Sequence, residues 1–219
     1  MRSVIFSLSL FLCLNLTAQN SKTIKSIWQE NSEEDPDTEL VDYFFQQKGN
    51  FYYFIADNEK YVWFIMKTSD TAVQNTILES GMTLWIDMDN KGGMKSGILY
   101  PAGSMNSLPK ITDSPDERKN SNAVREKLVK QANMIELKGF PGEARRFPSD
   151  TYDNFRGKIH IDVKGTMYYY MRMPTIKLPL RNSRDGVGAM PFALGIQFGT
   201  EGNKSRLYWI KNIKLATGN

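Results

Sequence analysis

A single histidine, His160, serves the whole chain of 219 residues. Any reaction that needs an imidazole base must use it, and a serine-type triad built on it would lack the G-x-S-x-G elbow, which is absent. Glycoside hydrolysis asks only for two carboxylates at a set separation. The chain carries 24 acids, and no spacing singles out a pair. No G-x-G-x-x-G, P-loop or H-E-x-x-H occurs, so nucleotide and zinc-hydrolase chemistry has no motif to stand on. The best metal candidate is the set Asp87, Asp89 and Asn90, oxygen ligands close together just before Gly92-Gly93. It is the one candidate calcium loop, although Lys91 occupies a position where another oxygen is wanted and no bidentate Glu follows at the right spacing. A plain hairpin turn is the competing reading.

Binding needs less than catalysis. Exposed aromatic rings can stack on the apolar face of a sugar while polar neighbours bond its hydroxyls. In Met82 to Asp87, Met82, Leu84 and Ile86 alternate with Thr83, Trp85 and Asp87, which places Trp85 on the outer face. Trp209 shares a parity with Leu207, Ile213 and Leu215 and is expected in the core. In Lys158 to Val163 the apolar parity is Ile159, Ile161 and Val163, so His160 and Asp162 point outward. A three-residue turn at Lys164-Gly165-Thr166 would pair Val163 with Met167, put Met167, Tyr169, Met171 and Met173 inside, and bring Tyr168, Tyr170 and Arg172 out beside His160. A two-residue turn would reverse this. Ala193, Gly195 and Gln197 alternate outward on a strand expected next door, leaving a shallow floor beneath the tyrosines. The candidate ligand-binding residues are therefore Trp85, His160, Tyr168, Tyr170, Arg172 and Gln197. The competing reading packs the tyrosines under a helix or the long loops.

These residues need a scaffold, and apolar residues recur mainly with period two. Phe51 to Ile55 and Tyr61 to Lys67, split by the turn Asp57-Asn58-Glu59-Lys60, predict a hairpin partly buried on both sides. Met82 to Asp87 and Ser96 to Tyr100 predict a second. Later strands are expected at Ile135 to Phe140, Lys158 to Val163, Met167 to Met173, Phe192 to Phe198 and Arg206 to Leu215. One helix, capped by Ser121 with Val124, Leu128 and Ala132 at every fourth position, runs through Asn133. Met105 to Lys119 and Gly142 to Asn154 read as loops. The expected fold class is all-β and mainly antiparallel, a two-sheet sandwich with one short peripheral helix.

Arg2, the apolar stretch Val4 to Leu16 and the small residues ending at Ala18 predict a cleaved signal peptide over residues 1–18, ahead of one domain over 19–219. Cys13 suggests a lipoprotein signal instead, but Leu10-Phe11-Leu12 lacks the small residues that processing needs. Cleavage would remove this sole cysteine, and with it any disulfide or thiolate. No other apolar stretch approaches membrane-spanning length, so a periplasmic or extracellular protein with no transmembrane segment is expected. Lys and Arg number 28 against 24 acids, a net +4 without a basic run, which argues against nucleic acid as partner.

The segments Ala56 to Phe64, Gly81 to Asp87 with Gly97 to Pro101, and Gly165 to Pro174 with Phe192 to Phe198 resemble successive strands of the DOMON-like superfamily of β-sandwiches, which includes the family 9 carbohydrate-binding modules. The resemblance spans most of Trp28 to Leu215. It implies a sandwich that binds sugars or haem, or has no assigned ligand. Haem in such domains takes a methionine and a histidine from different strands, so His160 would need a methionine on its own outer face. A non-catalytic carbohydrate-binding protein of the cell envelope, with no resident cofactor, is the first expectation. A structural or protein-binding role and a haem-binding role are the alternatives.

Overall fold

The computed structural model describes residues 23–30, 35–39, 41–103, 118–142, 146–151, 155–178, 190–199 and 205–216. The predicted signal segment and Cys13 lie outside them. Thirteen strands are present among the described residues: β1 (Ile24–Lys25), β2 (Ile27–Trp28), β3 (Phe44–Gln46), β4 (Phe51–Asp57), β5 (Tyr61–Thr68), β6 (Met82–Asp87), β7 (Ser96–Tyr100), β8 (Met134–Lys138), β9 (Arg146–Pro148), β10 (Arg156–Ile161), β11 (Met167–Pro174), β12 (Phe192–Phe198) and β13 (Arg206–Lys214). They form a seven-stranded sheet in the order β1-β13-β12-β6-β7-β8-β9 and a six-stranded sheet in the order β10-β11-β5-β4-β2, with β3 sharing the outer edge of β4. Pairing is antiparallel except at β1 with β13 and β2 with β4. The fold is an all-β sandwich.

The core lies where the two sheets face each other. Phe64, Met66, Met171 and Tyr169 from one sheet meet Leu84, Ile98, Leu194 and Ile196 from the other, each almost wholly buried. Burying one such side chain stabilises the fold by about 1.5–3 kcal/mol. Two α-helices among the described residues pack against the sandwich. Leu128 and Ala132 anchor α2 (Arg118–Gln131), which begins before Ser121 rather than at it. The other helix, α1 (Thr71–Ser80), was not expected from the sequence. Its start is chemically plain: the Asp70 carboxylate accepts from the backbone N–H of Ala72 (2.9 Å) and Val73 (3.2 Å), and the carboxyl is held below its usual range, chiefly by the Asn50 amide. Part of the expected loop Gly142 to Asn154 is also regular, as β9.

Chain direction changes sheets at one residue. β1 lies beside β13, β2 lies beside β4, and Ser26 is the pivot between them. Its hydroxyl donates to the buried Asp57 carboxylate and accepts from the Ala216 N–H at 2.7 Å, which also reaches Asp57 at 3.0 Å. Desolvation pushes the Asp57 carboxyl up to about 6 despite these bonds. The folded state therefore binds a proton that the unfolded state has released between pH ~4 and 6, so stability falls as pH rises through that window. Asp57→Asn is expected to abolish this slope. In urea titrations the wild type should lose up to about 3 kcal/mol relative to the variant from pH 4 to pH 6, and parallel curves would refute the assignment.

Candidate functional site

The outer face of the six-stranded sheet collects most of the expected binding residues, because the turn between β10 and β11 keeps the parity anticipated for it. Ile161, not Val163, pairs with Met167, so the register is shifted by two residues, the turn is centred one residue earlier, and Val163 is exposed in it. A shift of two preserves the faces. Met167, Tyr169, Met171 and Met173 are buried inside, while Tyr168, Tyr170 and Arg172 point out beside His160. Asp162 does not join them as a free carboxylate. Its Oδ1 accepts from the N–H of Lys164 (2.9 Å) and Thr166 (2.8 Å) and so fastens the turn.

Strand pairing sets these residues in rows across the sheet. One row runs His160, Tyr168, Lys67, Tyr52 and Phe45 over β10, β11, β5, β4 and β3. His160 and Tyr168 stack with centroids 6.2 Å apart, and Phe45 lies 4.7 Å from Tyr52. Phe45 is 50% exposed, Tyr52 is 44% exposed and His160 is open to solvent, so the row forms a surface. Neighbouring strands are about 4.8 Å apart, so four steps span about 19 Å. The next row, Lys158, Tyr170, Ile65 and Phe54, is partly covered.

The cover is an arm of residues 35–39 and 41–43 laid over this face. Val41 and Tyr43 pack on Phe54, Ala56, Tyr61, Trp63 and Ile65, a second apolar cluster outside the main core. Tyr43 meets Phe54 edge to face at 5.1 Å, and its hydroxyl donates to the Thr38 carbonyl at 3.3 Å. Burial, with the neighbouring Tyr170, holds the Tyr43 phenol well above its usual range, and burial also raises that of Tyr170. Both stay neutral donors near pH 7 and cannot serve as bases there. Cations complete the surface: Lys67 Nζ is 3.6 Å from the centre of the Tyr43 ring, Lys158 Nζ 5.6 Å from that of Tyr170, and the Arg172 guanidinium 4.6 Å from that of Tyr61.

Two expected residues lie elsewhere. β12 belongs to the opposite sheet, between β13 and β6, so Gln197 forms no floor beneath the tyrosines. Its Oε1 accepts from Trp85 Nε1 at 2.6 Å, and Trp85 is only 5% exposed. The ring lies flat on Gly97, where an added Cβ would come within 2.6 Å of it, and the Lys138 ammonium is 5.8 Å from its centre. Trp209 is also on this outer face, pairing with Gly195, rather than in the core as its parity implied. An extra residue in β13 causes the discrepancy: Ile210 pairs with Leu194 and Ile213 with Phe192, with Asn212 at φ 57° between them. That bulge inverts the alternation, so Ile210 and Ile213 both face inward.

The oxygen-rich loop after β6 is wired as a turn. Asp87 Oδ2 accepts from the N–H of Lys91 (2.8 Å), Gly92 (2.5 Å) and Gly93 (2.8 Å), and Oδ1 from that of Asp89 (3.0 Å). Burial alone would raise this carboxyl, but the four donors take it below its usual range. Asp89 pairs with Lys95 at 3.3 Å, and Asn90 bonds the side chain and N–H of Asn212. Each of the three side chains thus already has a partner within the protein. Among the described residues no group of three or more His, Cys, Asp and Glu side chains could hold a metal ion.

Haem fits this face no better. Met66, Met167, Met171 and Met173 all turn into the core, so no methionine shares the face of His160 among the outward positions of β4, β5, β10 and β11. The arm, Lys67, Tyr52 and Phe45 escaped the sequence reading. Tyr52 was legible as the odd parity of Phe51 and Tyr53, whereas two consecutive phenylalanines gave β3 no alternation. The chain matches no protein-family model and no curated protein.

Gln197→Leu should strand the Trp85 N–H and cost about 1–3 kcal/mol in chemical denaturation while leaving ligand retention untouched. Lost retention without lost stability would return Gln197 to the binding site. Asp87→Ala should cost about 2 kcal/mol, and millimolar calcium should leave the wild-type melting temperature unchanged. A calcium-dependent rise would instead show an ion in the loop.

Proposed function

We propose that this is an exported, non-catalytic glycan-binding sandwich whose ligand lies along the row His160, Tyr168, Lys67, Tyr52 and Phe45. The observation that carries the reading is the solvent-open run of rings at strand spacing, flanked by hydrogen-bonding groups. Rings on a flat sheet offer stacking area to successive sugars at little entropic cost, since two torsions fix each side chain. The outward positions of β4, β5, β10 and β11 carry no carboxylate, so the row lacks the acid pair that glycosidic cleavage requires. The resemblance to the DOMON-like superfamily, with its carbohydrate-binding modules, leans the same way. Among the described residues no helix is long and apolar enough to cross a membrane.

One observation favours a second reading, in which a protein partner is held. β3 is a short edge strand with Phe44 and Phe45 both exposed, a place where another chain can add a strand.

A glycan array separates the two. Tyr52→Ala and Tyr168→Ala should each weaken retention about 3- to 10-fold without loss of folding, the range expected from one stacking contact. An array that stays blank with folded wild-type protein would sink the glycan reading and favour the edge-strand one.

A further inference from the structure

The charge of this face narrows the ligand class, an inference that rests on the glycan reading. Over the whole chain, cations and acids are nearly balanced, 28 to 24. On the outward strand positions of the six-stranded sheet they are not: Lys67, Arg156, Lys158 and Arg172 are present and no acid is. Asp162, in the turn that follows β10, is held by the backbone that it caps. Lys67 and Lys158 lean on tyrosine rings, which leaves their ammonium groups able to meet an incoming anion while their stems stay packed.

The acids near this face come from the arm, whose sequence Asp35-Pro36-Asp37-Thr38-Glu39-Leu40-Val41-Asp42-Tyr43 is strongly acidic. Asp35 reaches Arg156 at 3.9 Å. One acid of the arm is thus already paired with a cation of the basic surface, and the arm's Tyr43 ring lies against the Lys67 ammonium.

We propose that the ligand is an acidic polysaccharide, carrying carboxylate, sulfate or phosphate groups along an extended chain. Its sugars stack on Tyr168, Tyr52 and Phe45, its anionic groups pair with Lys67 and Lys158, and the arm competes with it for the basic surface. Such pairs form in high dielectric and are screened by salt over about 10 Å at 0.1 M, so binding must be salt-sensitive.

Affinity electrophoresis of the protein in gels containing polygalacturonate, dextran sulfate, unsubstituted dextran or polyglutamate tests this. Retardation by one or both acidic polysaccharides, lost at high salt and weakened about tenfold in Lys67→Gln/Lys158→Gln, is the expected result. The charge-matched control Lys127→Gln/Lys130→Gln, on the exposed side of α2, should retain binding. Asp35→Asn/Asp37→Asn should strengthen it. Equal retardation of the control and the face variant would reduce the effect to net charge and overturn the proposal. Retardation by dextran alone would overturn the acidic class while sparing the glycan reading. Retardation by polyglutamate alone would replace the sugar with an acidic peptide, and no retardation by any polymer, with folding intact, would end both.

Discussion

Apart from Tyr52 and Lys67 at its open end, the hairpin of β4 and β5 must be dry on both sides. Its residues alternate between two apolar sets, Phe51, Tyr53, Ile55, Val62, Phe64 and Met66 on one face and Phe54, Ala56, Tyr61, Trp63 and Ile65 on the other. A strand with one polar face can rest on a single partner sheet, but this one cannot. The seven-stranded sheet covers the inner face. The outer face recruits the arm of residues 35–39 and 41–43, and wherever the arm ends, rings and cations are left at the surface. The candidate site is a by-product of that unfinished cover: Tyr170 is half inside it, while Tyr168 and Tyr52 lie at its margin.

Cations on this surface are arranged to keep it soluble without undoing it. Lys67, Lys158 and Arg172 all lie near aromatic rings, so their aliphatic stems shield apolar area and their charges remain hydrated. The opposite outer face solves the same problem with indoles. Trp85 and Trp209 lie flat over Gly97 and Gly195, where a side chain would collide with them. Gln197 locks the first, and the turn fastened by Asp87 brings Gly92 against the second. One outer face is thus sealed by close packing and the other is left partly open.

Alternation made much of this legible in the sequence. The inward set Met82, Leu84 and Ile86, the hairpin buried on both sides, and the outward set His160, Tyr168, Tyr170 and Arg172 follow from parity. They survive even where the register of the β10–β11 turn is shifted by two residues from the expected one. Parity fails at a bulge, which is why Trp209 changes face. It also cannot say which sheet a strand joins, so Gln197 was placed beside tyrosines that lie on the other side of the molecule. The ten-residue helix after Thr68 was hidden because its short apolar spacing, Val73 to Ile77 and Leu78, lies between two strongly β-patterned runs. The arm was hidden for a different reason: it follows the surface beneath it, and no internal periodicity marks such a segment.

The pivot at Ser26 ties the earliest strand to the latest. β1 lies alongside β13, and the Ser26 hydroxyl is bonded by Ala216, 190 residues further on. A ribosome releases the front of this chain long before its partner exists. The first strand must therefore wait, without this partner, until β13 has been made, so the seam between them is a late contact of this sandwich rather than an early one. A chain wired in this way leaves the strand switch at Ser26 unfixed until β4 and β13, the partners on either side of it, are present together.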